Sequence, residues 1–146
     1  MSALQYGVGY LKVKHVIVCG HYECGGVKAA EANNDFQAPL EQWIRNIRDV
    51  YAKNAEELDK ISNPNKRHRR LVELNVIQQC VNVMKCGVVQ ARRKETYATG
   101  EPYTAPLVHG MVFDPKNGKL SRVEFDFADY ADELESVYGI YLAELS

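Results

Sequence analysis

Two side chains with metal-binding chemistry stand close together in the run Lys14-His15-Val16-Ile17-Val18-Cys19-Gly20-His21-Tyr22-Glu23-Cys24-Gly25-Gly26-Val27. They are His21 and Cys24. An imidazole nitrogen and a thiolate separated by two residues reach one zinc ion, at about 2.0–2.1 Å and about 2.3 Å respectively. Two donors do not make a zinc site by themselves, because zinc takes three or four protein ligands. The helix expected to follow Cys24 favours negative charge at its start, and so favours the thiolate. Cys19 is a poor further donor: a single glycine separates it from His21, and the chelate would be cramped. Other thiol chemistry fits less well. Cys19 and Cys24 do not form a Cys-x-x-Cys redox pair. A phosphate loop of Cys-x5-Arg type fails as well, since the required positions hold Gly25 and Ala30.

The elements that must position this pair read as follows. Val16 to Cys19 is a β-branched apolar run, expected as a strand buried on both faces and ended by Gly20. Gly25-Gly26 and the residues to Ala32 read as a tight turn into a helix. His21 and Cys24 then lie beyond the carboxyl end of a strand, where open parallel sheets bind ligands. Upstream, Leu4, Val8 and Leu11 share one helical face. Downstream, Asn33-Asn34-Asp35 breaks the first helix and Pro39 opens the next. Leu40, Trp43, Ile44, Ile47, Val50, Tyr51 and Leu58 make its apolar stripe, which places the sole tryptophan, Trp43, in the core.

Ser62 to Asn65 reads as a turn. The basic run Lys66 to Arg70 reads as a solvated helix start or loop rather than a nucleic-acid site. Leu71, Leu74, Ile77, Gln78, Val81 and Met84 form a third stripe, and Cys80 and Cys86 are expected to be packed thiols. Val88 to Thr99 continues as helix, stopped by Gly100. Pro106 to Phe113 and Leu120 to Phe125 form an antiparallel hairpin around the turn Asp114-Pro115-Lys116-Asn117-Gly118, with His109 in a structural role. Tyr130 to Leu145 closes the chain as a helix carrying Leu134, Val137, Tyr138, Tyr141, Leu142 and Leu145, over the sheet or a partner subunit.

Length and composition set the frame. The chain has 146 residues, 46% hydrophobic and 25% charged, with a net charge of −1. One domain over 1–146 with a sizeable core is expected. The balance gives no basic character for nucleic acid, and no apolar run is long enough for a membrane span. Met1 to Tyr10 is neither a signal nor a transit peptide. Four cysteines without a disulfide pattern point to an intracellular, cytoplasmic protein, with an organelle left open.

The order Ser2-Ala3-Leu4-Gln5-Tyr6, then Leu11 to His21, then Cys24-Gly25-Gly26-Val27 closely resembles the β-class carbonic anhydrases. That family joins a Ser-x-x-x-Tyr helix to a strand ending Cys-Gly-His-x-x-Cys-Gly-Gly. Glu73-Leu74-Asn75-Val76 and His109-Gly110 with Asp114 extend the resemblance over nearly the whole chain. It implies a mainly parallel α/β sheet with flanking helices and a C-terminal antiparallel hairpin. It implies Zn2+ as cofactor with His21 and Cys24 as ligands, and Tyr6, Gly25 and Gly26 near the pocket. Tyr6 read from its residues alone serves equally as a ring packed under the sheet. The implied reaction is reversible hydration of carbon dioxide to bicarbonate, and the implied assembly is a homodimer or larger homo-oligomer.

One part of the family pattern is missing. The family's other zinc-ligand cysteine and its catalytic Asp-Arg pair come from an upstream Cys-x-Asp-x-Arg motif, which this sequence does not contain, so the catalytic residues are left unassigned. Asp35, Asp114 and Asp126 stand in no Asp-x-Arg pattern. The expectation is a fold incomplete at its N-terminus, the C-terminal portion of a longer carbonic anhydrase. The alternative is a member of the same fold that does not catalyse in this form. Phe113 stands where some members carry a tyrosine for a second bicarbonate site, so that regulation is not carried over.

Overall fold

The computed structural model describes residues 2–138. Its elements are α1 (Ser2–Gln5), running into a π-helical turn at Tyr6–Tyr10, then β1 (His15–His21), α2 (Gly25–Glu31), α3 (Leu40–Lys53) and α4 (Ala55–Asp59). They continue with α5 (Pro64–Met84), α6 (Gly87–Ala98), β2 (Leu107–Asp114), β3 (Lys119–Arg122) and α7 (Ala131–Tyr138), the last preceded by a 3-10 turn at Phe127–Tyr130. Tyr141, Leu142 and Leu145 of the expected closing helix lie outside the described residues.

The three strands form one sheet in the order β1-β2-β3. At one end of β1 the Leu107 N–H donates to the Lys14 carbonyl, and at the other the Tyr22 N–H donates to Phe113. Residue numbers rise together along the two strands, so β1 and β2 run parallel. β2 and β3 run antiparallel, pairing Met111 with Arg122 and Asp114 with Lys119. The sheet is therefore mixed. The hairpin turn closes through Gly118, whose φ of +70° is the left-handed conformation that glycine adopts without cost.

The chain resolves into two compact units. One comprises Met1–Val18, Gln79–His109 and Glu124–Ser146, the other Cys19–Gln78 and Gly110–Val123. In the first, Val81 and Leu134 are fully buried together, with Phe127 and Tyr130 packed against them. Arg93 is buried there with its guanidinium donating to the Thr104 and Pro106 carbonyls, and the Thr96 hydroxyl accepts the Ala105 N–H. These bonds tie the loop before β2 to α6, and leave few of its polar groups unmatched. His109 has a partner in His15, Nδ1 to Nε2 at 2.9 Å.

In the second unit α2 packs against α3, and Ile44, Ile47, Val50 and Leu58 are buried. The single stripe expected from Leu40 to Leu58 is two helices, broken at Asn54, whose side chain donates back to the Val50 carbonyl. Leu71, Val72, Leu74, Val76 and Ile77 of α5 are all buried. Pro64, expected in a turn, is instead the first residue of α5, where its missing N–H costs nothing. The Asn63 side chain caps that end by accepting the Lys66 N–H.

Two expectations about burial are corrected. Trp43 lies on the apolar stripe of α3 yet is 56% exposed. β1 is not buried on both faces, nor does it stop at Gly20. Its residues alternate, with His15, Ile17, Cys19 and His21 exposed. The intervening face, Val16, Val18 and Gly20, is half-buried, and at Gly20 an added Cβ would sit 2.5 Å from Val76 Cγ2 of α5. Cys19 consequently points away from the core that sequence reading assigned to it.

Candidate metal centre

His21 is the last residue of β1 and Cys24 is the residue before α2, so the strand end and the helix start deliver the two donors to one short turn. Within that turn Glu23 has φ +57°. A left-handed conformation in a residue with a Cβ costs on the order of 1–2 kcal/mol, so other contacts must hold it. The Glu23 carboxylate meets Lys116 of the hairpin turn at 2.9 Å, and this ammonium holds its carboxyl below the usual carboxylate range.

The other intervening residue, Tyr22, is pinned from three sides. Its N–H donates to Phe113 of β2 and its hydroxyl donates to Glu73 of α5 at 2.7 Å. Arg69, one turn earlier on α5, stacks its guanidinium over the ring. Burial, and then the Glu73 carboxylate that accepts the hydroxyl proton, push the Tyr22 phenol up to about 12. Arg69 also donates to Asp114 at 3.0 Å, and Asp114 accepts the Lys116 N–H. The Lys116 N–H and the Arg69 guanidinium keep the Asp114 carboxyl below its ordinary value.

The basic run is therefore only partly a solvated start of α5: Lys66 is exposed, but His68 to Arg70 are paired. His68 meets Glu31 of α2, Arg69 meets Asp114, and Arg70 bridges Glu57 and Glu73. Glu31, Asp114 and Glu57 lie far away in sequence, so no local pattern announces them; only the Arg70–Glu73 pair is local, three residues apart on α5.

The imidazole of His21 carries its own orientation signal. Its Nδ1 lies 2.9 Å from the Tyr22 carbonyl oxygen. A carbonyl only accepts, so Nδ1 is the donor, and in the neutral ring Nε2 keeps the lone pair. Metal-ligating histidines are held in this way, with one ring nitrogen donating to a carbonyl or carboxylate and the other free to bind. The Cys24 thiol makes no capping bond to α2, so its sulfur is not committed there.

The donor chemistry of His21 and Cys24 suits zinc, but a zinc site needs more. Among the described residues no group of three or more His, Cys, Asp or Glu side chains is arranged to hold a metal ion. Cys19 does not complete the set; its thiol lies against the Gly20 carbonyl at 3.4 Å. The donor types of His21 and Cys24 suit two positions of a zinc coordination sphere, and the described residues bring no third donor to them.

The remaining sequence candidates behave differently from one another. Gly26 is a true close approach: an added Cβ would stand 2.7 Å from the Trp43 ring, which explains where the exposed tryptophan rests. Gly25 has open space around it. Tyr6, in the first unit, is not packed under the sheet; it is 58% exposed and stacks on Tyr10 with ring centroids 5.9 Å apart. The pinning network of Tyr22, Arg69, Glu73 and Asp114 was missed by sequence reading. The one available signal was Tyr22 and Glu23 lying between two candidate ligands.

A mixed α/β sheet carrying a His-x-x-Cys turn at the end of a parallel strand defines a narrow class, and comparison with known proteins places the chain within it. Residues 1–120 match the carbonic anhydrase family model. The chain belongs to the β-class carbonic anhydrase family. It is 45% identical over 140 residues to a carbonic anhydrase of Emericella nidulans, covering 96% of this chain and 58% of that protein. A Candida albicans carbonic anhydrase is 30% identical, with 96% of this chain and 46% of that protein covered. Among solved structures, a tetrameric β-carbonic anhydrase of Sordaria macrospora superposes with a TM-score of 0.72 at 30% identity, covering 85% of this chain and 59% of that one. A Coccomyxa β-carbonic anhydrase, solved with acetazolamide, gives 0.72 at 32% identity over 94% of this chain and 65% of that one. The chain spans about half the length of the curated relatives it matches.

Proposed function

We propose that this chain carries two zinc ligands, His21 and Cys24, of an enzyme that reversibly hydrates carbon dioxide to bicarbonate. The observation that carries the reading is the 2.9 Å contact of His21 Nδ1 with the Tyr22 carbonyl, which makes Nδ1 the donor and, in the neutral ring, leaves Nε2 to bind beside the Cys24 turn. When bound, zinc lowers the pKa of water from about 15.7 to about 7, which supplies a nucleophile at neutral pH. The chain's own contribution is positional. Tyr22 and Glu23 tie the ligand turn to α5 and to the hairpin, so both donors are held before metal arrives. Tyr6, Gly25 and Gly26 belong to the surroundings of that pocket in this reading.

Assembly into a homodimer or larger homo-oligomer is part of the same proposal. The tetrameric Sordaria relative supports it, as do the exposed apolar side chains of Tyr10, Leu11 and Ile17. An intracellular setting agrees with all four thiols being free. No helix among the described residues is long and apolar enough to cross a membrane.

A second reading, a member of the fold that does not catalyse, is favoured by the presence of two rather than three donors in the described residues. Metal analysis and stopped-flow carbon dioxide hydration on the intact protein separate the two. The first reading expects stoichiometric zinc and hydration, both lost in His21→Ala and in Cys24→Ser. Zinc content unchanged by His21→Ala overturns the site assignment; stoichiometric zinc without hydration favours the second reading.

A further inference from the structure

A cavity of about 500 Å3 opens in the second unit, with Glu23 of the ligand turn in its wall. Its size is that of a small-molecule site. The lining is strongly polar and unequal in charge: Lys28, Arg67, Arg69 and Lys116 against Glu23 and Glu31, with His68 between them.

The pairing within this wall decides what is left for a ligand. Glu23 is neutralised by Lys116 at 2.9 Å and Glu31 meets His68 at 2.7 Å. Arg69 is already committed to Asp114, outside the lining. Lys28 and Arg67 have no carboxylate partner among the described residues. The first residues of α5, Pro64 and Asn65, complete the rim. Lys28 and Arg67 thus stand at one cavity without an ion-pair partner among those residues, and Arg67 carries a guanidinium whose fork matches phosphate oxygens in pairs.

We infer that this cavity binds the phosphate group of a small molecule or free phosphate, through Lys28 and Arg67. A phosphate dianion can engage both Lys28 and Arg67, whereas the single charge of bicarbonate or chloride is satisfied by one of them. The volume leaves room for the organic part of a phosphate monoester. This inference stands on the cavity and its charges, and does not depend on the zinc reading.

Isothermal titration of the intact protein with inorganic phosphate, and separately with glycerol 3-phosphate, tests it. One saturable site per chain is expected, with bicarbonate and chloride binding at least tenfold more weakly. Tighter binding of the ester assigns the site to a phosphorylated metabolite; equal binding assigns it to free phosphate. Lys28→Gln with Arg67→Gln is expected to weaken binding at least tenfold while leaving the unliganded melting temperature unchanged. His21→Ala is expected to leave phosphate affinity unchanged. Absence of saturable binding, or affinity untouched by the double substitution, overturns the inference. Binding lost in His21→Ala but retained in the double variant also overturns it, placing the anion at the metal centre instead.

Discussion

The guanidinium carbon of Arg69 stands 3.4 Å from the centroid of the Tyr22 ring, while the same side chain donates to Asp114. One residue of α5 therefore clamps the turn between His21 and Cys24 and fastens the hairpin beside it. Removing it should do more harm than removing the tyrosine hydroxyl, because two elements are released instead of one bond. Arg69→Ala is expected to cost about 2 kcal/mol, from the lost cation–π contact and the lost bond to Asp114, which keeps only the Lys116 N–H. Tyr22→Phe, which deletes only the bond to Glu73, is expected to cost about 1 kcal/mol. Urea unfolding of the two variants gives the comparison, and equal costs would deny Arg69 its junction role.

Acid should probe the same junction. The Lys116 N–H and Arg69 hold the Asp114 carboxyl low in the folded chain, against about 3.9 when unfolded. Between those values the unfolded chain binds more protons, so stability falls as pH falls. The contribution is complete above the unfolded value and disappears as pH drops through the folded one. Asp114→Asn is expected to be less stable at neutral pH and to show a flatter decline between pH 5 and pH 3, on a scale set by these pKa values. Parallel acid profiles for the two proteins would remove Asp114 from the account.

The neighbouring glycines of the turn should respond oppositely to one added methyl group. Gly26→Ala drives a Cβ into the Trp43 ring, with contacts at 2.7 and 3.0 Å, whereas Gly25→Ala meets nothing within 4 Å. Overpacking of this kind costs about 1–3 kcal/mol; the exposed ring can swing aside, which favours the lower end. Because Trp43 is the sole tryptophan, its fluorescence reports the displacement directly. Gly26→Ala is expected to shift the emission and lower the melting temperature, with Gly25→Ala leaving both near wild type. A spectrum indifferent to Gly26→Ala would contradict the packing.

The four thiols should separate by reactivity. Cys19 is exposed, Cys24 and Cys86 are half-buried, and Cys80 is fully buried. Burial pushes the Cys80 thiol up to about 12, so its nucleophilic thiolate is scarce at neutral pH. Titration with a disulfide reagent is expected to label Cys19 first and Cys80 only on unfolding. Added zinc should slow Cys24 and leave Cys19 unaffected. Protection of Cys19 by zinc would move the metal site.

What the sequence disclosed, and what it withheld, follows from the range of the interactions. The strand, the turn before Gly25 and the helix after it are local features, and they fall where periodicity and turn chemistry placed them, except that the strand runs on through Gly20 to His21. The hairpin at Asp114 to Gly118 was equally local. Trp43 was misplaced because helical spacing shows that a residue is apolar, not that anything covers it. The valine-rich β1 run looked buried on both sides for the same reason. Arg69 and Arg70 looked solvated because their partners Asp114 and Glu57 lie on other elements. The proton on His21 Nδ1 depends on where the Tyr22 carbonyl points, which no residue pattern encodes.

Gly20 packs against α5 so closely that an added Cβ would fall 2.5 Å from Val76 Cγ2. Position 20 accordingly cannot gain a side chain while Val76 keeps its volume. A lineage or a library reaching alanine at position 20 has a passable route only if position 76 shrinks first. The reverse order passes through a strained intermediate at the very strand end that delivers His21. The pair therefore makes the evolutionary path to this turn directional, and joint sampling of both positions is the efficient way to explore it.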